Sequence, residues 1–148
     1  MKYILGAFIL ISALSGCKKD EKTAEEAQNE ILQYIDQHDL DAKATGSGLY
    51  YVVEKEGFGD NPRATSDVRV KYKGYLTNGN VFDESEDYGA LFNLQTVIEG
   101  WTEGIQLFKP GGKGILLIPP ALGYGSKDSE DIPAYSVLIF EIELKQVY

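Results

Sequence analysis

Apolar residues recur along this chain in three rhythms. The first is an unbroken run from Ile4 to Leu14, free of charge, behind a short basic start, Met1-Lys2. It is too short to cross a bilayer as an ordinary transmembrane helix and has the length of a signal-peptide apolar region. The second rhythm is helical. Ala24, Ala27, Ile31, Tyr34 and Ile35, then His38 or Leu40, recur at steps near three and four and form one narrow stripe. Thr23 precedes Glu26 by the spacing of a capping box. The pattern predicts an amphipathic helix from Ala24 to about His38. Its stripe is expected to pack against the rest of the chain or against a second copy, which leaves dimerisation through residues 24–38 open. The acidic outer face argues against a helix lying on a membrane.

The third rhythm has period two. Val68, Val70 and Tyr72 alternate with Arg69, Lys71 and Lys73, and Leu138, Phe140, Ile142 and Leu144 share a face opposite Glu141, Glu143 and Lys145. Both read as half-buried strands. Leu49 to Lys55 and Gly114 to Ile118 add two more. Asn78-Gly79 predicts a hairpin turn, because both residues tolerate positive φ. Val81-Phe82 would begin the returning strand, and residues 83–91 an irregular acidic loop. Val97, Trp101, Ile105 and Phe108 return to helical spacing, with Gly100 and Gly104 beside the stripe. Each glycine costs a helix about 1 kcal/mol against alanine, so close approach to a sheet is the expected reason for them. Pro110-Gly111-Gly112 ends this helix. Residues 39–48 read as a linker and 119–135 as a long loop. The fold class is therefore α+β: an antiparallel sheet with one short helix on its apolar face, starting near Leu49 and preceded by the N-terminal helix.

Length and charge narrow the picture. The 148 residues suit one domain plus a terminal extension, and 43% are hydrophobic, enough for a packed core. The net charge of −9 argues against a nucleic-acid partner, which needs clustered Lys and Arg. Cys17 is the single cysteine, so no intrachain disulfide can form. Leu14-Ser15-Gly16-Cys17 resembles the lipobox of bacterial lipoproteins. That resemblance implies a signal peptide over residues 1–16, a lipid on Cys17, and a membrane-anchored protein of the cell envelope, periplasmic or surface-facing. Lys2 is the one charged residue in 1–16, so cleavage would take the charge from −9 to −10. Residues 17–48 would then be a lipidated tether, the amphipathic helix and the linker.

Candidate chemistry is sparse. The only histidine, His38, reads as a helix-end residue and has no partners for a triad or a metal. Pro110-Gly-Gly-Lys-Gly114 lacks phosphate-loop spacing and runs from helix to strand, the reverse of the required order. Asp83-Glu84-Ser85-Glu86-Asp87 does not fit a calcium loop and reads as solvated. What remains is a set of aromatics, Tyr72, Phe82, Phe92, Trp101, Tyr124 and Phe140, which spacing alone assigns to core. On these residues alone, a binding module is as good a reading as an enzyme.

Five segments taken in order sharpen this: Val70-Lys-Tyr-Lys-Gly-Tyr-Leu76, Asn78-Gly-Asn-Val-Phe-Asp83, Val97-Ile-Glu-Gly-Trp101, Gly123-Tyr-Gly125, and Ile132-Pro-Ala-Tyr-Ser-Val-Leu-Ile-Phe-Glu-Ile-Glu-Leu144. Together they resemble the FKBP-type peptidyl-prolyl isomerases, over about residues 49–148. The resemblance implies a twisted antiparallel sheet wrapped around a short helix, with an apolar pocket between them. It implies a catalytic set of Tyr72, Phe82, Asp83, Trp101, Tyr124 and Phe140, and substrate contacts from Phe92, Val97, Ile98 and Ile132. Trp101 would floor the pocket under the proline ring, and the Ile98 N–H and Tyr124 hydroxyl would bond substrate carbonyls. Proline-containing polypeptides would be the clients and macrolide-type inhibitors would enter the same pocket, with no cofactor or metal. A non-catalytic proline-binding or scaffold subunit of an envelope assembly is the alternative.

Three departures stand out. The aspartate of much of this family has an arginine partner, yet no Lys or Arg lies between Val81 and Phe108. Asp83 is therefore expected to rely on Tyr72 or backbone donors. The acidic residues there, Asp83, Glu84, Glu86, Asp87, Glu99 and Glu103, are expected to make a rim that disfavours an acidic residue before proline. The stretch from Phe92 to Val97 is also short, and Pro133-Ala134 replaces the family's Pro-Pro.

Overall fold

The structure, a computed structural model, describes residues 22–148. Cys17 and the apolar run before it lie outside the described residues. Helix α1 spans Ala24–Gln37 and starts at the expected capping box. The Thr23 hydroxyl accepts from the Glu26 N–H at 3.1 Å, and the Glu26 carboxylate accepts from the Thr23 N–H at 2.7 Å. His38 caps the far end. Among the described residues no helix is long and apolar enough to cross a membrane.

Seven strands follow: β1 (Lys43–Ala44), β2 (Tyr50–Lys55), β3 (Asp67–Leu76), β4 (Val81–Glu84), β5 (Ala90–Asn93), β6 (Lys113–Ile118) and β7 (Leu138–Val147). They form one antiparallel sheet in the order β1-β2-β6-β7-β3-β4, with β5 also on β3. Helix α2 (Glu99–Ile105) lies between β5 and β6 in the chain.

The period-two rhythm decides which residue faces which helix. On β6 and β7, Leu116, Ile118, Leu138, Phe140, Ile142 and Leu144 face α2 and pack with Trp101 and Ile105. The alternate residues Ile115, Leu117 and Ile139 face the other way and pack with Ala27, Ile31 and Tyr34 of α1. The apolar stripe of α1 is thus buried inside the same chain, on the side of the sheet opposite α2. Gly100 and Gly104 do permit close approach. A Cβ on Gly100 would stand 2.6 Å from Ile118 Cγ2, and one on Gly104 would stand 2.7 Å from Leu116 Cδ1.

Three local expectations are corrected. Helix α2 stops at Ile105 rather than reaching Phe108. The chain tightens into i→i+3 bonds there, Leu107 N–H to Gly104 O (3.0 Å) and Phe108 N–H to Ile105 O (3.1 Å), which keeps Phe108 on the buried side. The end of the acidic loop is not irregular: Ala90–Asn93 pairs with β3, Phe92 opposite Val68. Gly89 makes that possible, because its φ is +81° and a Cβ would lie 2.8 Å from the Val70 carbonyl. Part of the stretch read as a linker, Lys43–Ala44, pairs with Tyr51 and Tyr50 of β2.

Candidate functional site

The apolar face of the sheet and helix α2 do not close completely, and an aromatic cavity of about 290 Å³ remains between them. Tyr72, Phe82, Asp83, Phe92, Thr96, Val97, Ile98, Trp101, Tyr124 and Phe140 line it. Strand β3 supplies Tyr72, β4 supplies Phe82 and Asp83, β5 supplies Phe92, and β7 supplies Phe140. Ile98 stands just ahead of α2, where a backbone N–H has no intrahelical acceptor.

Trp101 forms the floor, and only 4% of its surface is exposed. Three rings meet it nearly edge-on: Tyr72 at 5.0 Å and 87°, Phe92 at 5.1 Å and 77°, and Phe140 at 5.3 Å and 77°. These are favoured aromatic geometries, worth about 0.5–1.5 kcal/mol per pair beyond burial. The indole Nε1 is buried without a hydrogen-bond partner among the described residues. Phe82 reaches Phe140 at 5.4 Å and 83° because the residue between them is Gly74; a Cβ there would lie 2.6 Å from Phe82 and 2.7 Å from Phe140.

At the mouth, the Tyr72 hydroxyl donates to Asp83 Oδ2 at 2.8 Å, and the Glu84 N–H donates to Asp83 Oδ1 at 2.9 Å. The carboxylate thus takes its donors from a tyrosine and the backbone, in the way the missing cation suggested. Burial, and then the bond to Asp83, push the Tyr72 hydroxyl up to about 12. At neutral pH the Tyr72 hydroxyl keeps its proton and acts as a hydrogen-bond donor to Asp83. Its backbone is fixed too: the Ser85 hydroxyl accepts from the Tyr72 N–H (2.9 Å), and the Ser85 N–H donates to the Tyr72 carbonyl (3.0 Å). Tyr124 rises from the loop after a short 3-10 turn, Pro120–Leu122, with 42% of its surface exposed.

Nine of the ten non-lipid residues that the sequence pointed to surround this cavity. Ile132 does not; it packs against the core edge and lines an adjoining cavity together with Tyr124. Thr96 was missed. It sits in a turn, its N–H and hydroxyl both donating to the Asn93 carbonyl at 3.0 and 2.9 Å. A lone threonine in a short loop carries no sequence signal for that position. The expected acidic rim is partly tied up: Asp87 pairs with Lys71 at 2.6 Å, and Glu103 accepts from the Ser47 hydroxyl. Among the described residues no cluster of His, Cys, Asp or Glu could hold a metal.

The geometry, an aromatic cavity closed over a single tryptophan, agrees with a family comparison. Residues 59–145 match the family model described as FKBP-type peptidyl-prolyl cis-trans isomerase. The chain belongs to this FKBP-type family. It is 44% identical over 138 residues to the FKBP-type isomerase FkpA of Aeromonas hydrophila, across 90% of this chain and 51% of that one. The crystal structure of FkpA from Escherichia coli superposes with a TM-score of 0.71 at 36% identity, over 83% of this chain and 61% of that chain. A second solved structure is matched over almost all of its own length. The 1.6 Å crystal structure of a peptidyl-prolyl cis-trans isomerase from Pseudomonas syringae pv. tomato has a TM-score of 0.71 at 30% identity, covering 86% of this chain and 98% of that chain. The chain spans about half the length of the curated FKBP relatives that it matches.

Proposed function

We propose that this chain is a peptidyl-prolyl cis-trans isomerase that speeds X-Pro isomerisation during folding of exported proteins, held to a cell-envelope membrane by lipid on Cys17. The observation that carries the catalytic part is the cavity: an aromatic-lined site over Trp101 with the Tyr124 hydroxyl at its edge and no histidine or cysteine in its lining. Isomerisation breaks no σ bond. Its barrier of ~18–20 kcal/mol is lost amide resonance. In the planar amide, charge is drawn onto oxygen and water stabilises it. The twisted amide has less such charge, so entering an apolar cavity costs it less, and this differential binding lowers the barrier. The Tyr124 hydroxyl and Ile98 N–H would hold the flanking carbonyls, while Tyr72 and Asp83 brace the rim. Macrolide-type inhibitors would compete for the same cavity.

The lipid anchor is supported by the apolar run and the small residues before Cys17. A dimer through residues 24–38 would have to form on the outward side of α1, where Leu32 is exposed; light scattering on the detergent-solubilised chain reads this directly. Catalysis is tested by a protease-coupled or NMR-exchange isomerase assay on the chain from Lys18. Activity above background, falling in Trp101→Ala and Tyr124→Phe, is expected. A parent protein with background activity removes the isomerase reading.

A further inference from the structure

Thr96, Val97 and Ile98 reach the aromatic cavity from one short lip between β5 and α2. Strand pairing ends before them at Asn93, and α2 begins after them at Glu99. The lip is therefore held by other bonds. At its start the Asn93 side-chain amide donates to Asp67 Oδ1 at 2.8 Å and to the Thr65 carbonyl at 3.3 Å. The Thr96 N–H and hydroxyl both return to the Asn93 carbonyl. Leu94 is fully buried, and its N–H donates to the Ser66 carbonyl at 3.0 Å. Leu94 is thus a fixed post beside the lip.

Thr102 of α2 is bonded to both ends of this lip, although it does not line the cavity. Its N–H donates to the Ile98 carbonyl at 3.1 Å. Its hydroxyl donates to the Leu94 carbonyl at 2.5 Å, eight residues earlier in the chain. A threonine hydroxyl inside a helix ordinarily bonds a carbonyl three or four residues back, within its own helix. Here it leaves the helix instead. The Thr102 carbonyl accepts in turn from the Gln106 side-chain amide at 2.7 Å, and the Gln106 carbonyl accepts from Asn61 Nδ2 at 2.8 Å. A line of bonds therefore runs along α2 from Asn61 to Leu94. The helix needs such ties: it has seven residues, two of them glycine, and short helices are marginal by themselves.

We infer that Thr102 is a positioning residue: its hydroxyl, anchored on the Leu94 carbonyl, sets the Ile98 N–H against the Trp101 floor and so the grip on a prolyl peptide, a role that rests on the isomerase reading. Without that hydroxyl the lip and the helix lose their side-chain tie. The Ile98 N–H then holds a substrate carbonyl less well, and equally so for the planar and the twisted amide. Loss of such uniform binding raises KM and leaves kcat in place. A role in stability alone behaves differently. Fewer molecules are folded, so the apparent kcat falls and KM stays.

Thr102→Val removes the hydroxyl and keeps the branched shape, and Thr102→Ser keeps the hydroxyl. Both are compared with the parent as the full chain in neutral detergent. Turnover of a proline tetrapeptide gives kcat and KM. Trp101 is the only tryptophan in the chain, so its fluorescence during titration with the same peptide gives Kd without turnover. Thr102→Val raises KM and Kd by about tenfold, a scale that a small displacement of a binding group can reach, with kcat within about twofold. The amide NMR signals of Val97 and Ile98 move, while that of Ile31, across the sheet, does not. Thr102→Ser restores the parent values. Unchanged KM and Kd in Thr102→Val, or a serine variant no better than the valine one, overturns the assignment, as does a parent that binds no proline peptide. If Thr102→Val does not fold, Gln106→Leu cuts the same line of bonds from its other end and raises KM in the same direction; an unchanged KM there overturns the assignment too. A parent that binds the peptide without turning it over removes the isomerase reading instead, and the Kd values then decide on Thr102.

Discussion

Tyr72 does three things at once. Its ring meets Trp101 edge-on, its hydroxyl donates to Asp83, and its backbone is clamped by Ser85. Removing only the hydroxyl isolates the second. Tyr72→Phe should lower stability by about 0.5–1.5 kcal/mol, the usual net value of one hydrogen bond, because the Asp83 end is solvent-exposed. The sign with pH follows from the raised ionisation. Between the ordinary tyrosine value and about 12, the folded chain keeps a proton that the unfolded chain loses. Stability from this group is therefore complete below pH about 10 and disappears as pH climbs towards the folded value. Tyr75 contributes in the same direction, pushed far above its usual range by burial and then by the Tyr34 hydroxyl. Urea midpoints followed from neutral to alkaline pH should fall in the parent and fall less steeply in Tyr72→Phe. Parallel curves would show that the Tyr72 ionisation is not raised in the folded chain. The residues of this site were legible only as members of an ordered set of segments. Spacing placed the rings on buried faces but could not say that Phe82 and Phe140 meet across a residue with no side chain, or that Thr96 lines the cavity.

Helix α2 shows how an element can be poor by propensity and right by packing. Glycines at 100 and 104 each cost a seven-residue helix about 1 kcal/mol, yet they let it lie directly on β6. An alanine at either site recovers up to that amount and adds a methyl group where there is no room, which typically costs about 1–3 kcal/mol. The two sites differ in what they strike. Gly100 faces three side-chain atoms of Ile118 within 3.0 Å, and a β-branched side chain has little χ1 freedom to move away. Gly104 meets chiefly the two methyl ends of Leu116. Gly100→Ala should therefore destabilise more than Gly104→Ala in thermal or urea unfolding. It should also raise KM, since lifting the start of α2 shifts Ile98 and Trp101. Equal and small effects at both sites would mean that the helix can ride up at no cost. The elements with a strong internal period, α1, β3 and β7, were readable from sequence with their buried faces. Strand β5 was not, because four residues set no period and its pairing depends on Gly89 passing close to β3. The end of α2 was misread for a related reason: Phe108 keeps the helical spacing while the backbone has already left the helix.

At the scale of the whole molecule the sheet separates two surfaces. One carries α1, whose first residue is seven positions after Cys17; the other carries the aromatic cavity. Seven residues span at most about 25 Å when fully extended. A lipid on Cys17 would therefore hold the α1 side of the domain close to the bilayer while the sheet stands between that side and the aromatic cavity. Anchoring and turnover are expected to be separable for this reason. A thiol is required for the lipid, and the stem of one acyl chain gives only marginal attachment whereas several give stable attachment. Cys17→Ser should move the protein from the membrane fraction to the soluble fraction and abolish labelling by a radioactive fatty acid. The kcat/KM on a soluble proline tetrapeptide should stay within about twofold, because 1.4 kcal/mol is needed for a tenfold change and the rings of the cavity pack in the core cluster opposite the one that α1 joins. Retention of the variant in the membrane fraction would remove the lipid anchor. A large loss of turnover with clean release would show instead that the anchor acts on the cavity through the sheet.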